Sequence, residues 1–280
     1  MRDTGLPTSD AQFDYARARR RHTLSSLARR LRGQPGDVEL ILPFDEVVEA
    51  LGRVGEHSVG LQSISLDSIV GTVGRNRDFD RAFRPVSGRT RTRWERIATA
   101  QRKGKDMPPI AVYRIGDMHF VRDGHHRVSV ARALGHSHID AYVTEVRTMV
   151  GAEGTITVGD LPMKGHERLF FERVPLPRDA RADIALSDPW RYAELAEGVE
   201  AWGARMMLGR GELLSREEVA RCWLEDEYRP VVEMLREADM IGEGTETDAY
   251  MRVAAERFRL LLTHDWSEEI IDRLRAEMDD

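Results

Sequence analysis

The chain has 280 residues, 32% of them charged and 41% hydrophobic, with a net charge of -6. That length suffices for one large domain or two smaller ones, and two is the expectation. No apolar run approaches the roughly 20 residues of a bilayer span, so no membrane role is expected. The N-terminus lacks the apolar core of a secretory signal, and the single Cys222 has no internal partner for a disulfide, which points to the cytoplasm. The charge is unevenly spread. Residues 212–280 hold 9 Arg and 20 Asp/Glu, a net of -11, which leaves +5 for residues 1–211. An acidic C-terminal part repels nucleic acid, so any DNA contact is expected from the N-terminal part.

In chain order, Asp14 to Arg32 reads as a helix with Tyr15, Ala16, Leu24, Leu27 and Leu31 as its apolar positions and seven arginines after Tyr15. Two readings stand: a solvated or acid-paired helix, and a phosphate-contacting arm over residues 17–32. The segment "GQPG" (33–36) ends it. From Val38 to Val146 short strands and helices mix. "LQSISL" (61–66) and "HIDAYV" (138–143) alternate like half-buried strands, and residues 108–124 read as two strands joined at Gly116-Asp117, a reversed type I′ turn signal. Helices are expected over 44–52, 91–104 and 126–135. Residues 151–186, rich in Gly and Pro, read as a connecting region. The remainder, 187–280, is helical in pattern: Asp188 caps a helix that starts at Pro189, "SREE" (215–218) is a capping box, Pro230 kinks or breaks a helix, and Ser267 caps the last one. Aromatic and aliphatic stripes there suit helix packing or a homodimer contact.

The stretch with most chemistry is "VRDGHHRVSVARALG" (121–135). A strand ends, Gly124 permits a tight turn, and a helix begins near His125. The first amides of a helix lack internal acceptors and sit at the positive end of its dipole, so they favour an anion, and Arg127 adds a forked donor. Five of the nine histidines lie between 119 and 138, yet their spacing does not suit one metal ion, and no metal ligand is assigned. Val128, Val130, Ala131 and Leu134 are core by periodicity.

The ordered set "ISLDSIVGTVGRNRDFD" (64–80), a helix, and residues 107–146 resembles the ParB/sulfiredoxin superfamily, ParB-like nuclease domain proteins included, over about 85 residues. The resemblance implies an α+β fold: a ParB/sulfiredoxin-like domain (37–150) between a basic N-terminal helical arm (1–36) and, after the 151–186 linker, an acidic all-helical C-terminal domain (187–280). In that superfamily the glycine-led turn binds nucleotide phosphates. Partitioning proteins carry a GERR-type turn and sulfiredoxins GCHR, whereas here Gly124-His125-His126-Arg127 places His125 at the cysteine position, which excludes sulfiredoxin chemistry. The spelling is closest to that of the free serine kinases.

The resemblance also sets expectations for the site. Nucleotide (ATP, ADP or CTP, with Mg²⁺) is held by Arg75, Arg77, Asp123, Gly124, His125, His126, Arg127 and Ser129, with Asn76 nearby. In a kinase reading, His125 and His126 stabilise the migrating phosphoryl group while Asp67 or Asp78 is the base toward a small hydroxyl substrate. Asp67 also reads as a turn cap and Asp123 as an orienter of the turn. The alternative is a DNA-binding, partitioning-like regulator with nucleotide as its switch.

Overall fold

The computed structural model describes residues 4–33 and 40–278. The start of the central domain at Val38 and most of the "GQPG" break therefore lie outside the described residues. The chain divides into two compact units, 1–165 and 166–280.

The first unit is built on one mixed sheet of six strands: β1 (Leu42–Pro43), β2 (Arg53–Ser65), β3 (Ile69–Thr72), β4 (Ile110–Ile115), β5 (Met118–Asp123) and β6 (His138–Thr148). Their order across the sheet is β1-β3-β5-β4-β6-β2. β4 and β5 form an antiparallel hairpin, β2 runs antiparallel to β6 at one edge, and β1–β3, β3–β5 and β4–β6 pair in parallel. Parallel neighbours need crossovers, and the helices supply them. These are α2 (Phe44–Leu51), α3 (Arg91–Arg102) and α4 (His125–Leu134), preceded by α1 (Pro7–Leu31). The β4–β5 turn falls at Gly116-Asp117 as the pattern indicates, but only Gly116 has a positive φ (+58°). A type I′ turn needs positive φ at both central residues, so the turn is not of that type.

α4 is the hinge of the packing. Val128 and Ala131 face the main core with Ile64, Ile69, Phe79, Ile110 and Val121, while Val130 faces a second cluster with Ala11, Tyr15, Trp94 and Ala98. Leu134 is only partly buried, against that second cluster. Trp94 is locked by an edge contact with Tyr15 and by donating its Nε1 hydrogen to Ser129 Oγ at 2.8 Å.

The register of α1 corrects the expected apolar face. Leu24, Leu27 and Leu31 are exposed, as is Ala16, whereas Asp10, Ala11, Asp14, Tyr15 and Ala18 are buried. The two acids are buried because Arg102 of α3 reaches them: it donates to Asp14 Oδ2 at 2.6 and 2.9 Å and stands 3.7 Å from Asp10. α1 thus packs on α3 and α4 as part of the first unit.

The division between units falls within α5 (Leu161–Arg173), a helix in the stretch expected to be connecting chain. The second unit holds α6 (Arg191–Arg210), α7 (Arg216–Cys222), α8 (Arg229–Glu237), α9 (Glu246–Leu261) and α10 (Glu268–Met278). Its core contains Trp223, Tyr228 and Tyr250 in mutual ring contact. The Ser215–Glu218 capping box is present, and Ser267 Oγ accepts from Ile270 N. α6 starts two residues after Pro189, with Asp188 Oδ1 accepting from Trp190 N in the turn before it. Pro230, at the start of α8, follows a π-helical stretch over Trp223–Tyr228. Proline lacks the amide that an inner helical turn requires, so a widened turn ahead of it is the local accommodation. Among the described residues, no helix is long and apolar enough to cross a membrane.

Candidate functional site

β5 runs into α4 through Gly124, whose φ of +102° is closed to most side chains. A Cβ at this position would lie 2.4 Å from Ile110 Cγ2, so glycine is required for close packing of the turn on β4 as well as for its dihedral. No side chain caps α4, and its first backbone bond is donated by Val128 to the Gly124 carbonyl. The amides of His125, His126 and Arg127 therefore point outward from the helix start without helical acceptors.

These amides border a cleft of about 50 Å³ whose wall also includes Arg75, Arg93, Ile97 and Asp123. His126 is buried, and its Nδ1 is enclosed without a hydrogen-bond partner. Burial, with the charges of Arg93 and Arg75 adding to it, pushes its pKa down to about 4. His125 is held near 4 as well, first by burial and then by Arg75. Both rings are neutral at pH 7. Neither carries the cationic charge that would steady a migrating phosphoryl group, because the low-polarity surroundings disfavour protonation. His125 has a further constraint: its Nε2 meets Thr72 Oγ1 at 2.6 Å, its ring hydrogen-bonds the Val121 carbonyl, and it stacks on Phe79. Its side chain ties α4 to the sheet, leaving its backbone amide for the cleft.

Arg127, expected to grip an anion, is already engaged. Its Nη1 donates to the carbonyls of Pro108 and Pro109, and its Nη2 to Asp123. Those bonds fix the entry to β4 against α4, so Arg127 and Asp123 act on the shape of the turn. Arg75 borders the cleft while bonded to Asp78 at 3.2 Å, and Asp78 is close enough to act on the charge of His126. The side chain of Arg93 makes no hydrogen bond or ion pair among the described residues.

Three expected members lie elsewhere. Ser129 is buried and accepts from Trp94, Asp67 lines a larger cavity beside α1, and Arg77 is an exposed residue that does not border the cleft. The Asp67 amide donates to Ser65 Oγ, so the cap at that turn is the serine rather than the aspartate. Conversely, Arg93 and Thr72 were missed. Arg93 sits 32 residues before His125 on a helix whose pattern shows only an arginine beside a core tryptophan, and nothing local marks it. Among the described residues, no group of three His, Cys, Asp or Glu side chains is placed to hold a metal ion.

No family model matches the chain, and no curated protein does. Among solved structures, it is similar to one described as "Structure of the pNOB8-like ParB N-domain", at 12% identity and a TM-score of 0.22, over 78% of this chain and 84% of that one. What the chain's own geometry defines is a mixed α/β unit with an anion-friendly helix start, followed by a helical unit.

Proposed function

We propose that the cleft at the start of α4 binds the phosphate of a nucleotide. The observation that carries this reading is the set of three outward amides at the start of α4 beside Arg93, a cation with no hydrogen-bond or ion-pair partner among the described residues. Neutral donors and two guanidinium groups around a small concavity suit a phosphate oxyanion. At about 50 Å³ the cleft takes a single phosphate group, being far below the roughly 300 Å³ at which whole-ligand pockets begin, so sugar and base lie outside it. Asp78 is the nearby carboxylate for Mg²⁺ or for a hydroxyl proton, and phosphoryl transfer to a small hydroxyl substrate or hydrolysis of the nucleotide would run through it.

The test is calorimetric titration of ATP, ADP, CTP and GTP with Mg²⁺ into wild type, Arg93→Ala and Asp78→Asn. The expected result is binding of at least one nucleotide, weakened about tenfold or more by Arg93→Ala through loss of a charge-assisted contact. Phosphate release slowed by Asp78→Asn with binding retained supports turnover. If the wild type binds none of the four, the reading fails.

A further inference from the structure

Two arginines of the basic helix turn towards a concavity. A cavity of about 330 Å³, within the range of small-ligand pockets, opens between α1, the turn at Asp67, the segment around Phe83 and the flank of α4. Arg17, Arg21, Arg84 and Arg132 line it. Two of these are anchored. Arg84 donates to Asp80 Oδ2 at 2.7 Å, and Arg132 donates to the carbonyls of Arg81, Leu66 and Ile69 while lying over the Phe83 ring. Arg132 has no carboxylate partner in hydrogen-bond contact among the described residues, its Nε is buried and unpaired, and burial lowers its pKa despite the pull of Asp67 and Asp80. The side chains of Arg17 and Arg21 make no hydrogen bond or ion pair among the described residues. They stand one helical turn apart, a spacing at which like charges repel and destabilise a helix. Three guanidinium groups without a carboxylate in hydrogen-bond contact thus line one concave space with Phe83 and alanines; of the two carboxylates that also line it, Asp14 is paired with Arg102 and Asp67 offsets part of the Arg132 charge, so the positive groups remain in excess.

We propose that this cavity is a second site, separate from the α4 cleft, that binds a small dianion, with Arg17 and Arg21 as its gripping residues and Arg132 as the charge at its floor. Guanidinium forks bind carboxylate and phosphate alike, and two forks one turn apart on one helix suit a ligand with two negative charges. The concavity and its size favour a small molecule over an extended polymer backbone. Arg17 and Arg21 are exposed and contribute nothing to the core, so they can be removed without loss of fold.

The test titrates succinate and inorganic phosphate separately, at low ionic strength, into the full chain as wild type, Arg17→Ala/Arg21→Ala, Arg17→Lys/Arg21→Lys and Arg93→Ala. Thermal melts confirm that each variant is folded. The expected result is binding of at least one dianion to the wild type, weakened at least tenfold by the double alanine change and partly restored by the double lysine change, whereas Arg93→Ala removes only the phosphate held in the α4 cleft. Succinate binding that the double alanine variant loses assigns the site to dicarboxylates, and phosphate binding that this variant loses assigns it to phosphate groups. Absence of binding to the wild type, or equal binding by the double alanine variant, overturns the proposal. Loss of phosphate binding in Arg93→Ala with retention in the double alanine variant places the ion in the α4 cleft, which overturns this inference and supports the other.

Discussion

Mild acid should destabilise the first unit through three buried histidines. His119, His125 and His126 are each at most 7% exposed and each held near pKa 4 against an ordinary 6.5, chiefly by burial. Between those two values the unfolded chain binds protons that the folded chain refuses, so stability is full above pH 6.5 and falls as the pH drops towards 4. At pH 5 a histidine with that shift has lost about 2 kcal/mol relative to pH 7, or roughly 6 kcal/mol for the three together. That is comparable to the whole stability of many domains, about 5–15 kcal/mol. Urea denaturation at pH 7, 6 and 5, with hydrogen exchange at the β5 and α4 amides as the local readout, measures it. Equal unfolding free energies at pH 7 and pH 5 would show that the three rings are not buried as neutral groups, and the account of the helix start would fall with them.

Single contacts lead to further expected outcomes. Gly124→Ala places a Cβ 2.4 Å from Ile110 at a φ of +102°, and should cost at least about 2 kcal/mol, read as a lowered Tm. Arg102→Met leaves the buried carboxylates of Asp10 and Asp14 without their cation; a loss of about 3–5 kcal/mol is expected in chemical denaturation at pH 7. In the second unit, Thr245 caps α9, accepting from the Asp248 amide and donating to the Ala185 carbonyl at 2.5 Å. Thr245→Ala should therefore lower stability by about 0.5–2 kcal/mol, with a melt of the helical unit as the check.

Much of the framework was legible in the sequence because it is written locally. The strand pair around Gly116, the helices beginning at Phe44 and His125, the glycine-led turn and the Ser215–Glu218 box are set by residues within a few positions of one another. Dihedral limits and capping chemistry act over that same range. The mistakes share a different origin. The exposed Leu24, Leu27 and Leu31 have the right spacing for a core face, yet α1 buries Asp10 and Asp14, because Arg102, 88 positions beyond Asp14, supplies their counter-charge.

By itself, then, the sequence determined that a strand meets a helix at Gly124 and leaves three amides open to an anion. Only the tertiary structure decided which side chains stand around them. It spent Arg127 on the Pro108 and Pro109 carbonyls, bound His125 to Thr72, and brought Arg93 to the cleft from another helix. The reason is physical: backbone conformation follows from neighbours in the chain, whereas the ionisation and free valence of a side chain depend on whatever the fold packs against it.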